Sequence, residues 1–413
     1  MVPFGLWVAV ALAGSLPSRA EQPAYVLIVA NNASNDPKLA PLRYADDDGA
    51  RYHDLFAPQA SEVVLLSVLD EETQRRHPGL AAKTKPPTRK ELTLALAHLN
   101  ARMKEDRARD EKPLFYFVYT GHGQRGPAGE GTISLLGANF SRSELFQEVL
   151  EPSEAATLHL IIDACDSYYF VSARGELPVA QGQAEVVRHY LDERSLSRFP
   201  HVGVVLSTNS QKESHEWAAI GAGVFSHQVR SALFGAADVN GDGKVEYSEL
   251  SAFIAAANLR VEDPRGRLQI FTAAPALDRA APIADLTRRS LAGHLLVPAS
   301  LSGRHWVEDE RGVRWVEFHK EPERPLVLAL PPGRTYHLRS PSLEARFIAA
   351  SGQLVDAASL RWTAYALASR GSLDEAFRVH LFATPFGAKF YGGYVSSSGE
   401  PPVAAPVTAD FSP

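Results

Sequence analysis

The chain has 413 residues, of which 22% are charged, a formal net charge of −6 and one cysteine. That length can bury a sizeable core and points to two domains. The mildly acidic balance and the lack of long basic runs argue against nucleic acid as a partner, and a single cysteine allows no internal disulfide, so the fold rests on its core.

Phe4 to Leu16 is apolar and leads into Pro17-Ser18-Arg19-Ala20, a small-x-small pattern suited to cleavage after Ala20. The stretch is shorter than the roughly 20 apolar residues that span a bilayer. Residues 1–20 therefore read as a signal peptide of an exported protein, periplasmic or secreted, with no membrane span; the alternative is a short membrane-associated or buried N-terminal helix.

Strands and helices then alternate. Ala24 to Ala30 is a buried-type strand, followed by a helix from about Tyr44 to Phe56 and a strand from Glu62 to Val68. Thr88-Arg89-Lys90-Glu91 is a capping box that opens a helix to about Lys104. Leu114 to Thr120 is the next strand and ends in Gly121-His122-Gly123. A short helix opens at the Ser141 to Glu144 capping box. The strand Leu158 to Ile162 runs through Asp163-Ala164 to Cys165. Val202 to Thr208 is one more strand, and helices follow from about Gly223 to Ala237 and from Tyr247 to Asn258. Continuous apolar strands separated by helices imply an α/β fold, a mostly parallel sheet with helices on both faces. Ligands of such sheets bind beyond the carboxyl ends of the strands, where His122 and Cys165 both lie.

A thiol and an imidazole at neighbouring strand ends are the parts of a nucleophile–base pair. The alternatives are a buried cysteine acting as a small hydrophobe and a loop histidine capping a strand. Asp163 stands two residues before Cys165, so on a strand both point to one side. Asp46-Asp47-Asp48 either faces a ligand or is a solvated helix start that complements the macrodipole.

Asp238 to Glu249 fits an EF-hand loop. Oxygen ligands fall at Asp238, Asn240, Asp242, Glu246 and Glu249, with Gly243 at the sharp turn and the Lys244 backbone carbonyl at the seventh position. One calcium ion is the expected cofactor, with no organic cofactor. A single such loop suits a site that fixes two helices.

After about residue 290 the texture changes. His305 to Glu308 and Arg314 to Phe318 read as two strands of a hairpin, and Leu326 to Leu330 and Thr335 to Leu338 as a second hairpin across Pro331-Pro332-Gly333. Residues 291–350 thus form a small β-rich domain. Residues 351–400 read as helical from about Ala357 to Ala368 and around Leu373 to His380, then aromatic and glycine-rich, and 401–413 as a disordered tail. The α/β unit occupies 21–290 and includes the loop 238–249.

The stretches Tyr25 to Asn32, Leu42 to Ala50 (LRYADDDGA), Phe117 to Gly123 (FVYTGHG), Leu160 to Ser167 (LIIDACDS) and Val204 to Ser214 together resemble the caspase-like peptidases, most closely bacterial relatives of metacaspases. The resemblance covers residues 24 to 260. It implies a cysteine endopeptidase in which Cys165 attacks a peptide carbonyl, His122 relays the proton, and the Cys165 and Gly123 N–H groups hold the oxyanion, glycine letting the substrate approach. It implies that Asp163 and Asp48 pair with a substrate Arg or Lys, with Thr120 and Ser207 as further substrate-facing positions. Protein or peptide substrates are the expected partners. The family also places a processing linker near Ser172 to Pro200, which holds Arg174, Arg188, Arg194 and Arg198; the alternative is a surface loop with a helix around Ala184 to Leu191.

The chain departs from that family at several points. Asp166 follows the nucleophile where metacaspases carry His, and a carboxylate there raises the thiol's pKa. Tyr168 to Val171 replaces small residues, Ala45 and Thr120 stand for Cys and Ser, and Gln124 to Gly131 lacks the acidic calcium cluster. A non-catalytic caspase-like binding or scaffold module is the second function class that the sequence leaves open.

Overall fold

The computed structural model describes residues 22–126, 130–165, 167, 171, 196–207, 216–262, 268, 270–289, 291–322, 324–365, 377–399 and 402–403. Residues 1–21, where the sequence reads as a signal peptide, Asp166, Tyr168, the stretch 172–195 and most of the tail lie outside this set.

Six strands make the central sheet: β1 (Ala24–Asn31), β2 (Glu62–Leu66), β3 (Leu114–Gly121), β4 (Thr157–Asp163), β5 (Val202–Ser207) and β6 (Ile270–Ala273). Their order is β6-β5-β4-β3-β1-β2. All neighbours run parallel except the edge strand β6, which is antiparallel to β5. Four half-buried residues give β6 too short a pattern to stand out in the sequence.

Among the described residues, the helices α1 (Ala45–Phe56), α2 (Arg89–Ala108), α3 (Val224–Ser231) and α4 (Tyr247–Asn258) cover this sheet. Alternation along the strands sorts the core in two. Val26, Ile28, Val118, Ile161 and Val205 pack in one cluster with side chains of α1, α3 and α4. Leu27, Val29, Phe117, Leu160 and Ile162 pack on the other face with α2 and the segment Arg142–Leu150. Both faces are buried, which is why the strands read as largely apolar runs. The Thr88 side chain accepts from the Glu91 N–H and starts α2, whose Leu92, Leu96, Leu99 and Met103 are buried at helical spacing. The expected box is only half made there, because the Thr88 N–H goes to the Pro86 carbonyl at 2.8 Å, whereas the Ser141–Glu144 capping box forms in full.

α3 is shorter than its apolar pattern suggests. A wider turn, Ala232–Ala236, follows it, and Gly235 inside that turn has φ 117°. A Cβ there would also lie 2.4 Å from the Val327 carbonyl oxygen, so both conformation and space require glycine.

Among the described residues, the C-terminal region has eight strands: β7 (Gly293–Val297), β8 (Gly303–Asp309), β9 (Arg314–Lys320), β10 (Leu326–Leu330), β11 (Arg334–Arg339), β12 (Leu343–Ala349), β13 (Leu354–Asp356) and β14 (Trp362–Ala364). β8 and β9 form the expected hairpin. β10 and β11 do not. β10 joins a three-stranded sheet, β10-β7-β13, while β11 sits inside a five-stranded one, β9-β8-β11-β12-β14. Pro331-Pro332-Gly333 therefore carries the chain from one sheet to the other. The two prolines have no N–H to give a ladder, and Gly333 turns with φ 77°.

A second correction concerns residues beyond 350. Ala357–Ser359 is a single 3₁₀ turn and β14 follows it, so the β-rich region runs on to Ala364. Pairing of Leu343–Ala345 with Trp362–Ala364 overrides the helical preference of the alanines. The aromatic, glycine-rich stretch is largely a helix, α5 (Ala388–Ser398), which buries Tyr391 and Val395 one turn apart. The Tyr391 hydroxyl lies 3.0 Å from that of Ser248 on α4. Among the described residues, no helix is long and apolar enough to cross a membrane.

Candidate functional site

The carboxyl ends of β1, β3, β4 and β5 line up at Asn31, Gly121, Asp163 and Ser207, and parallel register sets Thr120 beside Asp163. The chain leaves β3 through Gly121, where a Cβ would lie 2.5 Å from the Tyr119 hydroxyl oxygen. That buried hydroxyl donates to the His122 carbonyl at 2.8 Å and accepts from the Ser134 N–H at 3.1 Å. The Ser134 N–H also reaches the His122 carbonyl, at 2.9 Å. Two groups thus hold the His122 backbone.

The His122 ring is half-buried. Burial pushes its pKa down, and the Ala40 carbonyl facing the ring works in the opposite direction. Nε2 is buried and has no hydrogen-bond partner among the described residues. A neutral imidazole with one nitrogen open is in the state a general base requires.

Gly123 explains how the two motifs meet. A Cβ on it would fall 2.2 Å from the Cys165 carbonyl oxygen and 2.9 Å from the Ala164 Cβ. The chain following His122 therefore crosses directly over the Ala164 side chain and the Cys165 carbonyl. Glycine is needed for that crossing, a nearer cause than the substrate approach read from the sequence. Cys165 is half-buried just past the end of β4.

Asp163 has the same parity as Ile161 and so faces α1 and α3. Its Oδ2 accepts from the Ser226 hydroxyl at 2.6 Å and the Ser226 N–H at 3.2 Å. Asp48, on α1, is 1% exposed and accepts from the Gly223 N–H at 2.8 Å. Its Oδ1 stands 2.8 Å from Arg230 Nη1 and 3.7 Å from Arg51 Nη1. Burial pushes the Asp163 carboxyl up to about 7, with the nearby Asp48 charge adding to it and Ser226 opposing. Burial raises Asp48 too, against Arg230 and Arg51.

Asp46, Asp47 and Asp48 are all buried, which rules out the solvated helix start. Asp46 accepts from the Asn32 side chain and the Asp70 N–H. Asp47 pairs with Arg76 at 3.1 Å, and its carboxyl is pushed up by burial to about 6. Sequence reading missed Arg51, Gly223, Ser226 and Arg230. The signal available was the polar content of α3, whose eight residues are all buried. Thr120 is buried beside Asp163, and Ser207 is buried with its carbonyl accepting from the Ser167 hydroxyl.

The loop Asp238 to Glu249 joins the α3 arm to α4. The two Asp238 oxygens accept from the Gly241 and Gly243 N–H groups, Asn240 from Asp242, and Asp242 from Lys244. Glu249 accepts from the Val239 and Glu246 N–H groups. Lys244–Val245 pairs antiparallel with Ala284–Asp285, so a plain strand takes the place where a second loop would pair. Burial raises the Asp238 carboxyl to about 7. Burial also raises Glu246, with its hydrogen bond to Glu249 opposing and the Asp242 charge adding, and burial with the Glu246 hydrogen bond and charge raises Glu249. Among the described residues, no group of three or more His, Cys, Asp or Glu side chains is arranged to hold a metal ion as it stands. The oxygen-only donor set suits calcium, and Glu249 would have to release its two N–H partners to reach one.

No protein-family model matches the chain, and no curated protein does. Among solved structures, a protein from Geobacter sulfurreducens is similar over 64% of this chain and 99% of its own length, at 19% identity and a TM-score of 0.35. Pro-sf-caspase-1 is similar over 61% of this chain and 87% of its own, at 11% identity and a TM-score of 0.35.

Proposed function

We propose that this protein is an exported caspase-like cysteine endopeptidase that cuts after Arg or Lys and binds one calcium ion. The observation that carries the reading is the crossing of Gly123 over the Cys165 carbonyl, which sets the His122 turn against the cysteine. In this reading the Cys165 thiol gives its proton to His122 and the sulfur attacks the peptide carbonyl. The Cys165 and Gly123 N–H groups take the developing oxyanion. His122 then passes the proton to the leaving amine, and water releases the acyl group from sulfur. Asp163 and Asp48 hold the basic side chain before the cut. Asp238, Asn240, Asp242, Glu246, Glu249 and the Lys244 carbonyl would hold the calcium, which supplies positive charge among buried carboxylates.

The test is labelling of Cys165 by an arginine-directed peptide electrophile, with and without calcium, alongside His122→Ala. Fast labelling that needs His122 is the expected result. A second reading, a non-catalytic binding module, is favoured by Asp166 beside the nucleophile, whose charge disfavours the thiolate. Labelling no faster than that of an ordinary exposed thiol would replace the first reading with the second.

A further inference from the structure

We infer that the β-rich region is a built part of this site: through Glu317 on β9 it positions α3, the helix whose Ser226 and Arg230 hold Asp163 and Asp48. The inference rests on the peptidase reading for its catalytic consequence, and it gives the C-terminal half of the chain a task inside the molecule.

Helical spacing gives α3 two polar faces. Ser226 and Arg230, four residues apart, meet the acids. His227 and Ser231, also four apart, lie on the next face and meet β9. His227 Nε2 stands 3.4 Å from Glu317 Oε2, and the Glu317 N–H donates to the Ser231 hydroxyl at 3.0 Å. One residue of β9 thus grips α3 at two points a turn apart.

Glu317 is itself fixed. It is 0% exposed and accepts from Arg304 Nε at 2.8 Å and from Arg314 Nη1 at 3.1 Å. Burial pushes its carboxyl up, but Arg304, Arg314 and His227 outweigh burial and hold it well below the usual range. Burial pushes the His227 ring down to about 4, with Glu317 opposing, so at neutral pH the imidazole is uncharged. Two further links run from the same region to neighbouring parts of the site. Arg314 lies 5.5 Å over the Trp217 ring, on the hairpin whose Glu216 accepts from the Arg43 and Tyr44 N–H groups ahead of α1. Arg334, stacked on Trp315, pairs with Asp309 of β8 and with Asp54 at the far end of α1 from Asp48. A buried ionic cluster adds little stability over an apolar one of the same volume, because desolvation offsets the attraction. What these contacts supply is direction: each fixes one helix or hairpin at one angle to β9 and β11.

The test separates position from stability. His227→Leu removes the link to Glu317. It also removes an Nδ1 that is buried with no hydrogen-bond partner among the described residues, so the variant should melt no lower than its parent. The Asp163 carboxyl, followed by ¹³C NMR in Cys165→Ala protein, should nevertheless titrate higher by about half a pH unit, because the Ser226 hydrogen bonds that oppose burial are loosened. Labelling of Cys165 by the arginine-directed electrophile should fall about tenfold. An Asp163 titration that does not move in folded His227→Leu overturns the inference, since a loss of stability alone does not shift a titration within the folded state. A moved titration with undiminished labelling also overturns it, because the setting of α3 would then not matter to the site. Should His227→Leu fail to fold, Ser231→Ala removes the other contact and is read in the same way. A wild-type protein that labels no faster than an ordinary exposed thiol defeats the peptidase reading, and the Asp163 titration then decides by itself whether β9 positions α3.

Discussion

Replacing Asp163 by asparagine should stabilise the protein in alkali and do so by an amount that depends on pH. The folded carboxyl titrates at about 7, against 3.8 for a free aspartate, chiefly because of burial. A carboxyl whose folded value is raised favours the folded state while it is protonated. That contribution is complete below the unfolded value and is lost as pH rises through the folded one. Asparagine keeps the Oδ that accepts from Ser226 but does not titrate. Between about pH 5.5 and pH 8.5 the wild-type side chain passes through 1.5 or so units of its titration, at about 1.36 kcal/mol per unit. The stability difference between Asp163→Asn and its parent should therefore move by roughly 2 kcal/mol in favour of asparagine over that range. Because Asp48, Asp47, Arg51, Arg230 and Tyr52 are present in both proteins, most of their own titration cancels in the difference. Urea denaturation of Cys165→Ala with and without Asp163→Asn, at the two pH values, measures it. A difference that is the same at both would refute the argument that Asp163 is held in a site hostile to its charge. The same substitution should abolish the preference for arginine, so the protein gains stability where it loses recognition.

Two further outcomes follow from the geometry. Calcium at about 100 times its dissociation constant should add roughly 2.7 kcal/mol of stability, and Glu249→Gln should remove most of that gain; a melting temperature indifferent to millimolar calcium would sink the loop reading. Tyr119→Phe removes one of the two donors to the His122 carbonyl, for a stability cost of about 1 kcal/mol and a fall of about tenfold in Cys165 labelling by the arginine probe; an unchanged labelling rate in a folded variant would mean that the Ser134 N–H alone positions the imidazole.

The parts that were legible in the sequence are those whose cause is local. β1, β3 and β4 announce themselves because each is buried on both faces, so apolar residues dominate the run; His159 in β4 is tolerated because it meets the Tyr247 hydroxyl at 2.7 Å. The N-cap at Thr88 and the capping box at Ser141 are legible because their hydrogen bonds close within three residues. Pro331-Pro332-Gly333 misleads for the same reason in reverse. A turn is visible locally, but whether its flanking strands pair with each other depends on β7 and β12, which the segment itself does not encode.

The acid site shows the limit most sharply. Three successive aspartates at a helix start are compatible with a solvated N-terminus, and only residues far along the chain decide otherwise. Arg230 lies 182 positions beyond Asp48 and Gly223 lies 175 beyond it. Both belong to one element, α3 and its N-cap, which the sequence presents as the first helix of an EF-hand-like unit. Its opening turns hold Asp163 through Ser226 and Asp48 through Arg230, and its far end turns at Gly235 into Asp238. A helix buried on every side has no solvent face on which to place polar residues, so Ser226, Gln228 and Arg230 can be present only because each meets a polar partner. The polar residues of an otherwise apolar helix were therefore the one trace, in the sequence, of where the two acids are held.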